Sequence, residues 1–162
     1  MKKLTLLLLL ATFMGCATTS NNTVPIQDTQ VFQSSFDRTW GTVVATISEL
    51  GLEIESIEKP SGLLSTKKIV FAGTDAPVQV DKPRTIDEWV YPPSIAAQLL
   101  GGGWQKIGYR LSIFVSPVDE KNTKVKITAT FDGTTTSGIQ HKMSSKGIVE
   151  SKIFWSIQSK LQ

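Results

Sequence analysis

The sequence predicts an α+β domain: an antiparallel sheet of about five strands with two helices packed on one face. Three observations lead there. Ile107 to Ser116 and Thr123 to Phe131 alternate apolar with polar residues and are joined by a short polar loop, the pattern of a hairpin with one wet face. Phe36 to Leu50 carries apolar residues at helical spacing. Val149, Ile153, Ile157 and Leu161 lie four apart, with Phe154 widening the stripe, so the chain ends in a second amphipathic helix.

Taken in order, Gln30 to Gln33 carries Val31 and Phe32 and makes a short first strand. Ser34 or Ser35 can cap the helix that follows, and Ser34 with Asp37 has the spacing of a capping box. Phe36, Trp40, Val43, Val44, Ile47 and Leu50 form its apolar face. Gly51 sits where a left-handed residue would stop it, with Leu52 able to fold back. Leu52 to Glu58 then alternates until the pattern slips at Ser56-Ile57, which predicts a strand with a bulge. Pro60-Ser61-Gly62 is a turn, and Leu63 to Phe71 is the return strand. For the last helix, Gly147, Ser144 or Ser145 can serve as the cap, and Glu150 falls at the third helical position if Gly147 does.

A chain of 162 residues suits one domain of ordinary size. Its net charge of +3 includes two lysines and no acids from Met1 to Gly15, so only +1 remains for the rest. Nothing gathers that charge into a basic stripe, and no nucleic-acid partner is expected. With one cysteine, Cys16, no internal disulfide can form.

The N-terminus accounts for that cysteine. Met1-Lys2-Lys3 is a positive n-region, and Leu4 to Met14 is an apolar run. The run is shorter than the roughly 20 residues that span a bilayer, but it suits a signal peptide. It ends in Phe13-Met14-Gly15-Cys16, which resembles the lipobox of bacterial lipoproteins. The resemblance implies a signal peptide over 1–15, cut before Cys16. It also implies a diacylglycerol on the Cys16 sulfur and a further acyl chain, such as palmitate, on the new amine. Ala17 follows, where an aspartate would resemble the inner-membrane retention signal, so in a Gram-negative host the outer membrane is expected. Residues 16–29 are rich in Thr, Ser, Asn and Gln and read as a flexible tether, leaving 30–162 as the single folded domain.

Three runs carry a second resemblance: Phe36-Asp37-Arg38-Thr39-Trp40, Leu50-Gly51-Leu52-Glu53-Ile54, and Gly62-Leu63-Leu64-Ser65-Thr66. They are similar to small outer-membrane lipoprotein domains, whose best-known member is the lipoprotein C subunit of the β-barrel assembly machinery. Ser145-Lys146-Gly147 with Glu150 is similar to further lipoproteins of this sort. What the resemblance implies is a helix-grip fold. Its matches fall on core and capping positions, so it speaks to fold more than to function.

Catalysis needs positioned acids, bases, nucleophiles or metal ligands. His141 is the one histidine, in the polar stretch from Thr134 to Ser145, and reads as an exposed loop residue. Glu53, Glu55 and Glu58 read as the solvent face of a strand, and Asp87-Glu88 would not converge unaided. Gly101-Gly102-Gly103 lacks the lysine and serine of a phosphate loop. We therefore expect no catalytic residues, no metal and no cofactor. The unusual segment is the inserted loop 72–105, which is long for a hairpin yet carries Trp89, Tyr91 and Trp104. Those aromatics are costly to leave in water. Folding over the sheet, contact with an envelope partner or peptidoglycan, and disorder favoured by the four prolines are the open readings. Trp89, Tyr91 and Trp104 are the candidate partner-binding residues. The function expected is a non-catalytic, membrane-anchored envelope lipoprotein that acts by binding, as an accessory subunit or scaffold. The alternative is a carrier in which helix and sheet grip a small apolar or lipid ligand, which needs a cavity of about 300 Å³ or more.

Overall fold

The computed structural model describes residues 26–72, 89–91 and 103–162. Its elements in chain order are β1 (Thr29–Phe32), α1 (Phe36–Glu49), β2 (Ile54–Glu58), β3 (Leu63–Thr66) and β4 (Ile69–Ala72), then β5 (Val90–Tyr91), β6 (Trp104–Pro117), β7 (Thr123–Thr135), β8 (Gln140–Ser145) and α2 (Ile148–Leu161). The signal peptide 1–15, Cys16 and most of the expected tether lie outside the described residues.

The two alternating runs become β6 and β7, paired from Trp104↔Thr135 to Pro117↔Thr123. Around them the sheet runs β2-β3-β6-β7-β8-β5, with β4 also on β6 and β1 also on β7. Every pairing is antiparallel. The α+β class with an open antiparallel sheet is as expected, but among the described residues the sheet has eight strands where about five were expected. Three features add the rest. Lys67 and Lys68 divide the return strand into β3 and β4, where the Lys67 amide turns to the Glu53 carbonyl at 2.8 Å. Val90 and Tyr91, inside the expected loop 72–105, pair with Ser145 and Ser144. Finally, the polar stretch around His141 pairs with β7 as β8. Its inward positions are His141, Met143 and Ser145, so it shows little of the apolar alternation that marks a strand.

One face of the sheet is dry. Ile107, Tyr109, Leu111, Ile113 and Val115 of β6 and Val125, Ile127, Ala129 and Phe131 of β7 are all buried, and their alternate neighbours face solvent, apart from Gly108, which the Lys68 side chain covers. Val43 and Ile47 of α1 and Ile153 and Ile157 of α2 belong to the same core cluster. The helices touch each other, and the Arg38 guanidinium donates to the Leu161 carbonyl at 3.2 Å. The predicted bulge in β2 lies between Ile54 and Ser56.

Helix ends show where local signals were obeyed. Gly51 takes a φ of 70°, with its amide on the Ser48 carbonyl and the Leu52 amide on that of Ile47, which closes the expected left-handed stop. The capping box is not formed. Ser35 occupies the cap position and its hydroxyl makes no cap bond. That places Arg38, not Asp37, at the third helical position, and Asp37 pairs with Lys59 at 2.8 Å instead. The domain also starts before residue 30: Asp28 accepts the Ile127 amide at 2.8 Å, so the end of the expected tether is part of the sheet.

At α2 the cap is Gly147, and Glu150 is 98% shielded from solvent at the third helical position. One carboxylate oxygen accepts the Ala129 amide at 3.1 Å and the other the Ser145 hydroxyl at 2.8 Å. Ser145 Oγ in turn accepts the Gly147 amide at 3.0 Å. A glycine cap has no side chain to offer the helix, and the relay instead satisfies the amide of the cap residue itself.

Two stability predictions follow from the packing. Trp40 is 6% exposed and stacked on Phe36, so Trp40→Ala should cost about 3–5 kcal/mol, read as a lower urea midpoint. Glu150→Ala strands the Ala129 amide and the Ser145 hydroxyl, and should cost about 2–4 kcal/mol, since each buried polar group left unpaired costs about 1–3. Glu150→Gln keeps an acceptor for Ala129 and a group that Ser145 can meet, so it should lose less than half as much in the same titration.

Candidate interaction surface

The register of β6, β7 and β8 builds two inward rows beyond the helices. Tyr109, Phe131 and Met143 form one, with Ile69 of β4 at its end. Ile107, Gly133 and His141 form the next. Trp104 lies over Gly133: a Cβ built there would meet its ring at 2.7 Å and the Met143 methyl at 3.1 Å. His141 meets Trp104 edge-on at 5.8 Å, so it is a half-buried strand residue and not the exposed loop residue expected. Tyr109 stacks on Phe131 at 5.4 Å, and burial pushes its phenol up to about 12. The buried Tyr109 hydroxyl, His141 Nε2 and Trp89 Nε1 find no hydrogen-bond partner among the described residues, and groups left so weaken a core. Among the described residues, no group of three His, Cys, Asp or Glu side chains could hold a metal.

This arrangement decides where two of the three aromatic candidates stand. Trp89 is fully buried, and its carbonyl accepts the Lys146 amide at 2.8 Å. Trp104 is half-buried in the row just described. Trp89 is covered by the domain, and its use by a partner would require it to leave; Trp104 is covered only in part. Tyr91 pairs through its backbone with Ser144, while its side chain, like Asp87-Glu88 and most of the loop 72–105, lies outside the described residues.

The surface offers other features. A cleft of about 470 Å³ lies between Gln33, Ser34 and Ser35 at the start of α1 and Glu120, Lys121 and Asn122 in the β6–β7 loop. All six residues are polar. On the sheet's wet face, Phe114 stays 44% exposed between Leu63 and Lys126, with nothing described lying over it. Lys126 also reaches Asp28 at 3.2 Å, and the Thr29 hydroxyl, with that ammonium, holds the Asp28 carboxyl below its usual range.

A second groove, of about 260 Å³, runs between β1 and α2 and is lined by Gln27, Gln30, Ser151, Phe154, Trp155 and Gln158. The Gln30 amide donates to Gln158 Oε1 at 3.2 Å, and Phe154 packs on Phe32 at 6.3 Å. Trp155 is 73% exposed, the most exposed of the large apolar side chains described. It is not among the candidate residues named from sequence, although a signal for it was there. Trp155 lies two positions from both Ile153 and Ile157, which at 100° per residue places it opposite the buried stripe.

No family model matches the sequence, and no curated protein does either. Among solved structures it is similar to a DUF4468 family protein from Bacteroides ovatus, at 12% identity and a TM-score of 0.37. That match covers 70% of this chain and 58% of the other, so the chain spans under two thirds of its length. At this level the likeness assigns no function.

Two outcomes test the inward rows. Gly133→Ala should destabilise the domain by about 1–3 kcal/mol, as overpacking does, because the Trp104 ring leaves the methyl no room. The alkaline limb is the other. Tyr109 ionises in the unfolded chain near pH 10 but in the fold only near 12, so its contribution is complete below pH 10 and is lost as pH rises towards 12. Denaturant midpoints of Tyr109→Phe should fall less steeply in that window, by up to about 2–3 kcal/mol, and should match or exceed the parent at neutral pH, since an unpaired hydroxyl is removed.

Proposed function

We propose that the chain is a bacterial envelope lipoprotein, anchored through acylated Cys16, whose α+β domain acts by binding as an accessory subunit or scaffold and catalyses nothing. The run Lys2 to Cys16 carries this reading, since charge, apolar length, glycine and cysteine agree on a lipoprotein signal. Two or more acyl chains would hold it at the membrane durably, where a single chain holds only marginally. On this reading the two helices lie on the inner face of the sheet as in helix-grip domains, in keeping with the runs around Trp40, Gly51 and Gly62 that resemble outer-membrane lipoproteins. The periplasmic face of the outer membrane is then its place in a Gram-negative host.

A carrier of an apolar ligand is the other reading, and the described cavities favour it less. The larger is lined by polar side chains alone. In the core, the packed rows of β6 and β7 bury their side chains against each other and the helices.

Cys16→Ser tests the anchor. The variant should accumulate as unlipidated precursor and lose its membrane-pelleted fraction, measured by fractionation and intact mass. Normal processing and undiminished membrane association would sink the reading.

A further inference from the structure

We propose that the exposed flank of α2, centred on Trp155, rests on the phospholipid headgroup layer next to the anchor. This rests on the lipoprotein reading and adds an orientation to it: the domain lies with α2 towards the bilayer.

The first argument is place. Ile26, the first described residue, lies against Gly147, where a Cβ would meet its Cγ2 at 2.7 Å. Gly147 is the cap of α2, and Trp155 lies eight residues along that helix, about 12 Å at 1.5 Å per residue. Ile26 is ten chain steps from Cys16, and at about 3.5 Å each they span at most about 35 Å. The lipid surface is therefore within reach of the helix end beside which the chain enters the domain, and Trp155 is on that helix.

The second argument is chemistry. An indole combines an apolar body with one N–H donor, which is why tryptophan collects where hydrocarbon meets headgroups. Trp155 stands at the rim of a groove whose other polar lining is Gln27, Gln30, Ser151 and Gln158, uncharged groups that can meet phosphate and glycerol oxygens without desolvating an ion. Glu150, the one acid in α2, is buried in its relay to Ala129 and Ser145, and Lys160 is paired with Glu49 of α1, so no unpaired carboxylate of α2 stands beside Trp155 to repel a phosphate.

The opposite face is left for partners. Phe114 and Leu63 alternate with the residues that pack under the helices, so they point away from the side that α2 covers.

The single cysteine makes the test direct. The mature chain from Cys16 is coupled through that thiol to maleimide-bearing lipid, in vesicles of mixed phosphatidylethanolamine and phosphatidylglycerol with brominated or unbrominated acyl chains. Bromine quenches only tryptophans at the membrane. The wild-type emission should dim on brominated vesicles, and Trp155→Phe, with an unchanged circular dichroism spectrum, should lose most of that quenching. Equal quenching in both proteins, or none in either, overturns the proposal. So does a dimer of the Cys16→Ser chain in solution that Trp155→Ala abolishes, because the flank would then belong to a second copy. Coupling is chemical, so these results do not depend on acylation in the cell. If Cys16 extracted from native membranes carries no lipid, the lipoprotein reading fails whatever the vesicles show.

Discussion

One row of the sheet sets a constraint that the surrounding structure meets twice. Leu111 and Ala129 face each other across β6 and β7, and the amides of both point outward from the pair. On the β6 side the flanking strand is interrupted between β3 and β4; on the β7 side, β1 ends its pairing at Lys126 and β8 begins at Thr130. Neither amide therefore has a strand to bond. Thr66 Oγ1 accepts that of Leu111 at 3.1 Å, and Glu150 accepts that of Ala129. Burying a polar group unpaired costs more than a typical hydrogen bond contributes, so two side chains standing in for missing strands hold the centre of the sheet together.

The Glu150 contact also fixes the last helix. Its carboxylate binds β7, its neighbour Ser145 closes β8, and the same hydroxyl takes the Gly147 amide at the start of α2. Sheet, β8 and helix thus meet within one short relay. A helix held at its first turn has its azimuth set, and the azimuth decides which residues are buried. Val149, Ile153 and Ile157 go to the core and Trp155 to solvent. The exposed tryptophan is then a consequence of a buried carboxylate five residues back, about one and a half turns, and its exposure is as fixed as the core.

Periodic segments were legible in the sequence because period and burial coincide in them. The β6–β7 hairpin, both helices, the Gly51 stop and the β2 bulge are of this kind. What could not be read depended on contacts distant in sequence. His141 sits in a strand because β7 offers it an edge and Trp104 a ring to lie against, and no local pattern announces either. The capping box failed for a local reason, since the helix starts one residue later than Ser34 would require. Glu150 was placed at the right helical position, but its partner Ala129 lies 21 residues back and has no signature in the run. Trp89 and Trp104 stood out in sequence as aromatics costly to leave in water, with packing, a partner and disorder all open. Which surface covered them was a tertiary matter. Trp155 is legible as the odd aromatic outside the stripe of Val149, Ile153, Ile157 and Leu161.

The tryptophans then divide the surface question. Trp40, Trp89 and Trp104 lie at 6%, 0% and half-burial, and each has its neighbours within the domain. Exposed apolar residues on the wet face of the sheet are a weaker signal than they look. Val31 pairs with Lys124 and Phe114 with Lys126, so lysines interrupt them, and scattered apolar residues of this kind are ordinary on protein surfaces. Trp155 differs in size, in exposure and in lying beside a groove. An indole left in water while three others are housed is the feature with the most free energy still to gain from a contact, at about 25 cal/mol for each square ångström covered. That gain belongs to whatever lies next to the end of α2, where the chain enters the fold.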